Sequence, residues 1–259
     1  TLAGLHSICP PGQCHAYQNV AYDAASDIVE KVTGKPYARA VHEQLFLPLG
    51  MTSATMSRRG LMSARSWARP HRGGRGSKPL EVMESYYRVP AAGGVNSSIL
   101  DLAVWMQAQM GMAPEVLSPS VLAALHRPQV RTIGEDRRNR RYLGRLTNAH
   151  YALGWRVYDY AGHRLVGHRG AVSGYRSMIL FDPESRTGVV AMWNSSSGRP
   201  FGVAIDAFDM LYGLPDGDWT RGGEGAREAM PDPAIASEIP VSTTGRRRPG
   251  ATFETPSTR

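Results

Sequence analysis

The sequence predicts a mixed α/β protein of the α+β kind, with helices gathered in its first half and an antiparallel sheet in its second. Two observations carry that class. Apolar residues recur at helical spacing between residues 20 and 125, whereas from residue 151 the period changes to short β-type runs, too closely spaced for parallel crossovers. A further run of helical period, Phe201 to Leu211, follows the strands and is placed to cover one sheet face.

Residues 1–16 are irregular, with Pro10-Pro11-Gly12 as a turn. Tyr17-Gln18-Asn19 then occupies the loop before a helix expected to be buried along Ala21, Ala24, Ala25, Ile28, Val29 and Val32, which Gly34 stops. Pro36 suits the first turn of a second helix carrying Val41, Leu45 and Phe46, ended by Pro48-Leu49-Gly50-Met51. Residues 52–88 are basic, Gly-rich and unpatterned, and read as a long surface excursion that either lines a site or is a variable insertion. Pro90 to Val95 is a tight small-residue turn. It leads to Ser98, which with Asp101 forms a capping box for a helix burying Ile99, Leu102, Ala103, Met106 and Met110, so these methionines are core filler. Ser118-Pro119 opens another short helix through Leu125.

The β-type runs are Tyr151 to Tyr160, Arg164 to Arg169, Tyr175 to Phe181 and Val189 to Trp193, with Asp182-Pro183 and Thr187-Gly188 as turns. Residues 216–259 are Gly, Pro, Ser and Thr with few large apolar side chains, and read as a disordered tail after a domain of residues 1–215.

A hydrophobic fraction of 42% over 259 residues suffices for one large core. No apolar run approaches the roughly 20 residues that cross a bilayer, so no membrane span is expected. The net charge of +8 lies in two places: +7 between Arg58 and Lys78, and +5 between Arg127 and Arg145. Both stretches lack periodicity and read as solvated loops. Nucleic acid is therefore not expected as a partner, because phosphate binding wants the charge on one ordered face. Cys9 and Cys14 stand with His6 and His15, but their spacing matches no zinc pattern. Either plain thiols or one small disulfide in an exported protein are expected, with no metal and no cofactor. The chain opens on Thr1 without a charged or apolar leader segment.

Tyr17 and Asn19, a phenol and a carboxamide two residues apart, suit proton transfer and substrate anchoring, and such a pair needs a nucleophile. Three features follow in order: Tyr17-Gln18-Asn19, Ala92-Gly93-Gly94 and His168-Arg169-Gly170. They are interleaved with Pro11-Gly12, Val32-Thr33-Gly34, Pro48-Leu49-Gly50-Met51, Leu153-Gly154-Trp155, Gly174-Tyr175 and Asp182-Pro183. Over most of residues 9–213 this order resembles the serine β-lactamase and penicillin-binding-protein superfamily. It is most similar to the class C-like branch of β-lactamases, D-aminopeptidases, DD-carboxypeptidases and esterases.

The resemblance implies an antiparallel sheet flanked by N- and C-terminal helices against a mainly helical region, with the site between them. It implies an acyl-enzyme formed by a serine with a lysine one helical turn later, S-x-x-K. Tyr17 would shuttle the proton, Asn19 would bind the acyl side chain, and the Ala171 N–H would be an oxyanion donor. Gly170 would leave room for the acyl group. His168 stands where the lysine of K-T-G stands. An imidazole is largely neutral near pH 7, which favours an ester or a D-amino-acid peptide over a β-lactam. Arg169 would point to the opposite face of its strand.

The only lysines are Lys31, Lys35 and Lys78, preceded three residues earlier by Ile28, Val32 and Arg75, so the chain holds no S-x-x-K; nor does it hold G-x-S-x-G. The resemblance thus leads us to expect an N-terminally truncated fragment, inactive alone, missing the N-terminal helix, first strands and S-x-x-K helix. Its parent would be periplasmic or extracellular and act on a small-molecule or peptide substrate. The alternative is a ligand- or peptidoglycan-binding pseudoenzyme. Such a fragment would leave sheet edge and apolar face uncovered. The sequence leaves the oligomeric state open.

Overall fold

In the computed structural model, which describes residues 8–10, 12–73, 76–215, 217, 219 and 220, Gln18 opens the first helix, α1 (Asn19–Thr33). Its side chain accepts the Val20 N–H at 3.1 Å, and Gly34 closes the helix at φ 68°. Asn19 is therefore the first helical residue rather than a loop residue. The expected burial of the apolar stripe is also corrected: only Ser26 is buried, while Ile28 is 63% and Val32 80% exposed. The helix packs with its other side, where Asp23 accepts the Ala91 N–H at 2.8 Å.

α2 (Tyr37–Val41) runs into a π-turn, His42–Phe46, whose Phe46 is buried with Met51 and Ala54. α3 (Arg58–Met62) and a 3₁₀ turn, Glu84–Arg88, break up the basic excursion. That excursion is pinned to one end of the sheet. The His71 N–H lies 3.2 Å from the Gly174 carbonyl and 3.1 Å from that of Asn194, and the Tyr175 hydroxyl donates to the Ala68 carbonyl at 2.6 Å. The small-residue turn winds into α4 (Pro90–Gly93).

α5 (Ile99–Gln109) is capped by Ser98, which accepts the Asp101 N–H at 3.1 Å. Only half of the expected box forms, because the buried Asp101 carboxylate accepts from the Ser53 N–H and hydroxyl instead. Met106 and Met110 are buried as expected, whereas Ile99 is 45% exposed. α6 (Pro119–His126) follows with Ser118 as its cap.

Residues 127–145, expected as a loop, instead hold β1 (Val130–Arg131) and α7 (Ile133–Asn139) before β2 (Thr147–Tyr151). The cause is the two acids, which are anchors rather than solvated charges. Asp136 accepts the Ala149 N–H at 2.7 Å, and Glu135 is only 4% exposed. β3 (Arg156–Tyr160), β4 (His163–Val172), β5 (Tyr175–Asp182) and β6 (Thr187–Trp193) complete an antiparallel sheet in the order β1-β2-β3-β4-β5-β6. The expected single run from Tyr151 to Tyr160 is split by a turn in which Gly154 takes φ 77°. Thr187-Gly188 lies within β6, and the turn before it is built on Asp182, which accepts the Glu184 N–H at 2.8 Å.

Alternation along the strands gives each sheet face its own core. Val157, Val166, Ile179 and Phe181 pack on Met106 and Met110 of the helical region. Tyr158, Tyr160, Leu165, Met178 and Leu180 pack on Phe201, Ala204, Ile205 and Phe208 at the start of and within α8 (Gly202–Tyr212), the covering helix expected from its period. Trp219, expected in the tail, joins this second core and donates to Asp209 at 2.9 Å. The rest of the 216–259 tail, apart from Gly217 and Thr220, lies outside the described residues. Among the described strands β6 has β5 as its only neighbour, and no described helix is long and apolar enough to cross a membrane.

Candidate functional site

A cleft of about 190 Å³ opens where the start of α1 faces β4. Tyr17 and Asn19 come from α1 and the residues before it, Ala91 and Ala92 from α4, and His168 from β4. Two expected site residues far apart in sequence thus share one wall: the rings of Tyr17 and His168 lie 6.0 Å apart at 29°. The approach to Tyr17 is tied by a Cys9–Cys14 disulfide with a Cα–Cα distance of 6.2 Å, which decides between thiols and a bridge.

Other expected residues are placed nearby with reasons of their own. Gly170 pairs with Ser177 of β5, and a Cβ there would meet the Ser177 hydroxyl, which would have to turn away to admit a side chain. Ala171 pairs with Arg176 near the end of β4. Arg169 points to the other sheet face, as the strand alternation requires. There it donates to Asn139 at 2.8 Å and pairs with buried Glu135 at 3.1 Å.

Sequence reasoning missed three residues of this cleft. Tyr151, at the end of β2, places its hydroxyl 3.2 Å from His168 Nε2. His15 stacks on Tyr151 with centroids 4.0 Å apart at 27°, and Tyr22 also lines the cleft. Tyr151 was hidden because it was read as the start of a strand when it is the last residue before a turn. Gly154 in that turn carried a usable signal: besides its positive φ, a Cβ would sit 2.6 Å from the Tyr22 hydroxyl.

The cleft holds its titratable groups uncharged. Burial raises the Tyr17 phenol above its ordinary value, and Arg156 only partly opposes this. Burial also raises Tyr22 and Tyr151. Burial first, and Arg156 second, lower His15 and bring His168 down to about 4. Among the described residues no group of three His, Cys, Asp or Glu could hold a metal.

These imidazoles link stability to pH. His168 and His126 both fall to about 4, each chiefly through burial, so between their ordinary value of 6.5 and 4 the unfolded chain binds more protons than the folded one. Stability is therefore expected to be fully present above pH 6.5 and to decline as pH falls to 4. Thermal melts across that window check this, and a midpoint that is flat from pH 7 to about 4 contradicts it.

Residues 1–213 match the protein family described as Beta-lactamase. The chain is 29% identical over 204 residues to Unguisins hydrolase ungD' of Aspergillus campestris, a match covering 76% of this chain and 36% of the relative. The octameric penicillin-binding protein homologue from Pyrococcus abyssi is 25% identical with a TM-score of 0.69, covering 80% of this chain and 45% of that one. A class C beta-lactamase mutant, at 18% identity and a TM-score of 0.62 over 83% of this chain and 62% of its own, shares the fold. The chain spans between a third and a half of the length of the Unguisins hydrolases that it matches.

Proposed function

The chain belongs to the beta-lactamase family, and from that premise we propose that it builds part of a serine acyl-transfer site that hydrolyses an ester or amide bearing an uncharged group. The observation that carries this reading is the shared wall of Tyr17 and His168 in one cleft with Asn19. Asn19 anchors the acyl side chain, Tyr17 relays the proton, and the Ala171 N–H helps to hold the developing oxyanion.

His168 gives the cleft its preference. Among the described residues no Lys, Arg, Asp or Glu lines the cleft, and the imidazole at the position of a family lysine is neutral above pH ~5 given its lowered pKa of about 4. A free carboxylate therefore meets no cation on the wall that the described residues build, and there a neutral ester or amide is favoured. The hydrolase named among the relatives supports the hydrolytic class.

Tyr17 alone is no base, because a buried phenol with a raised pKa stays protonated at neutral pH. It needs the S-x-x-K serine and lysine, which these 259 residues do not contain. The solvent-facing stripe of Ile28 and Val32 on α1 supports a further segment of the parent protein packing there. The Cys9–Cys14 disulfide supports an exported parent, periplasmic or extracellular, with residues 1–215 as its partial hydrolase domain.

The 259-residue chain is expected to take no covalent label from a fluorescent penicillin and to leave a nitrophenyl ester intact. A product of the same gene that carries S-x-x-K is expected to label on that serine. Labelling of the shorter chain, abolished by Tyr17→Phe, would overturn this reading. A gene product with no S-x-x-K anywhere would turn the site into a ligand- or peptidoglycan-binding one.

A further inference from the structure

Residues 127–145 carry seven arginines, and the fold holds two of them, Arg137 and Arg140, on the outer side of a helix. Along α7 and the 3₁₀ turn that follows it, Arg140–Tyr142, the buried positions are Glu135, Asn139 and Tyr142, at helical spacing. Ile133, Arg137 and Arg140 are exposed at the same spacing on the opposite side. Both acids of the stretch are engaged elsewhere: Glu135 lies inside, and Asp136 accepts the Ala149 N–H at 2.7 Å with the Arg131 guanidinium at 3.4 Å. Among the described residues no carboxylate pairs with Arg137 or Arg140, so the outer side of α7 is positive without relief.

An apolar tip ends this face. Leu143 is 78% exposed at φ 45°, in the left-handed region that a leucine side chain disfavours, and Ile133 at the other end is 60% exposed. The tip is held from both sides. The Leu143 N–H donates to the Arg140 carbonyl at 3.0 Å and the Arg145 N–H to that of Tyr142 at 2.9 Å, while the Tyr142 ring is buried and Arg145 pairs with Asp209 at 2.7 Å. A large aliphatic side chain is thus presented to solvent, between arginines, by an anchored turn.

We propose that this face, Ile133, Arg137, Arg140 and Leu143, docks on the surface of a bilayer containing anionic phospholipid, with the arginines on the headgroups and Leu143 in the boundary below them. Such a contact lies on the membrane and spans nothing. Each basic side chain near an anionic leaflet strengthens it, and so does each aliphatic one taken out of water. Nucleic acid would use the arginines but leaves the two aliphatic residues without a role, and single strands call for exposed aromatic rings. The only aromatic residue of the stretch, Tyr142, is 3% exposed. The buried side of α7 bonds through Glu135 to Arg169, on the sheet face away from His168, so docking leaves the cleft open.

Co-sedimentation of the 259-residue chain with lipid vesicles tests this. Vesicles of mixed phosphatidylglycerol and phosphatidylcholine are expected to carry the chain down, phosphatidylcholine alone is expected not to, and added salt is expected to weaken the binding. Arg137→Ala with Arg140→Ala is expected to lower the partition by about 20–30-fold, at about fivefold per arginine. Leu143→Gly is expected to lower it by about tenfold. Since glycine suits a positive φ, that variant is expected to fold as wild type does, which a thermal melt checks.

The control is Arg59→Ala with Arg65→Ala, which removes the same charge from exposed positions of the basic excursion and is expected to bind as wild type does. An equal loss in both double variants would reduce the effect to net charge and overturn the proposal. So would absence of binding to the anionic vesicles, or wild-type binding by a folded Leu143→Gly chain. A DNA duplex that binds through Arg137 and Arg140 while the vesicles do not would assign the face to nucleic acid instead.

Discussion

Glu135→Ala is expected to destabilise the fold by about 3–5 kcal/mol, the loss associated with removing one partner of a buried charge cluster. Glu135 is 4% exposed and faces three guanidiniums, Arg169 at 3.1 Å and Arg156 and Arg138 at 3.5 Å, while accepting from the Tyr158 hydroxyl at 3.2 Å. Burial works against its charge, yet the three arginines and the phenol together hold the carboxyl below its usual range. Without it, Arg156 and Arg169, with side chains 11% and 10% exposed, are left as uncompensated charge under the sheet.

Urea unfolding of wild type, Glu135→Ala and Glu135→Gln measures the effect. Glutamine is expected to fall between the other two, since it keeps an acceptor and loses the charge. A loss under about 1 kcal/mol for alanine would place the cluster among weak surface pairs. The sign with pH follows from the lowered carboxyl: its stabilisation is present above the unfolded value near ~4.3 and is lost as pH falls through the folded value. That window lies below most of the histidine window, so the two contributions can be separated in one series of melts.

Tyr17→Phe is expected to lower acyl transfer by about 10²–10⁴-fold in a chain that also carries the S-x-x-K pair, the range for removing a positioned proton-transfer group. The ring contacts to His168 and Tyr151 survive in phenylalanine, so KM is expected to change little and the loss to fall on kcat. Presteady-state acylation with a nitrophenyl ester reads the step directly. A variant that acylates at the wild-type rate would remove Tyr17 from the chemistry and leave it a wall of the cleft. Within these residues Tyr17 has a raised pKa, so the missing cation has to reverse the effect of burial before the phenol can relay a proton.

Most of the element order could be read from period and punctuation, because helices with Ser118-Pro119 or Gly34 at their ends, and strands with Asp182-Pro183 between them, announce themselves locally. The misses share one physical origin, which is that a polar side chain buried by tertiary contact looks solvated in the sequence. Glu135 and Asp136 were counted as charge between arginines, and Asp101 as half of a capping box, yet each anchors another segment. The stripe on α1 is the opposite case, apolar residues facing outward because Asp23 and Ser26 lie on the packed side. At the cleft, Tyr17, Asn19 and His168 could be found from motif order alone. Tyr151 and His15 could not, since only the turn at Gly154 and the disulfide before Tyr17 bring them in.

The neighbour-to-neighbour sheet order has a kinetic consequence. Each ladder from β2 to β6 joins strands adjacent along the chain, so the meander can zip one hairpin at a time over short loops. The basic excursion reaches it through long-range bonds, among them one spanning 107 residues, Tyr175 to Ala68, and one spanning 125, Asn194 to Arg69. Closing loops of that length is entropically slow. The sheet is therefore expected to be the early folding unit, with the segment that docks on its end arriving last and opening first, and hydrogen exchange at the rim near the β4–β5 turn is expected to be faster than in the central strands.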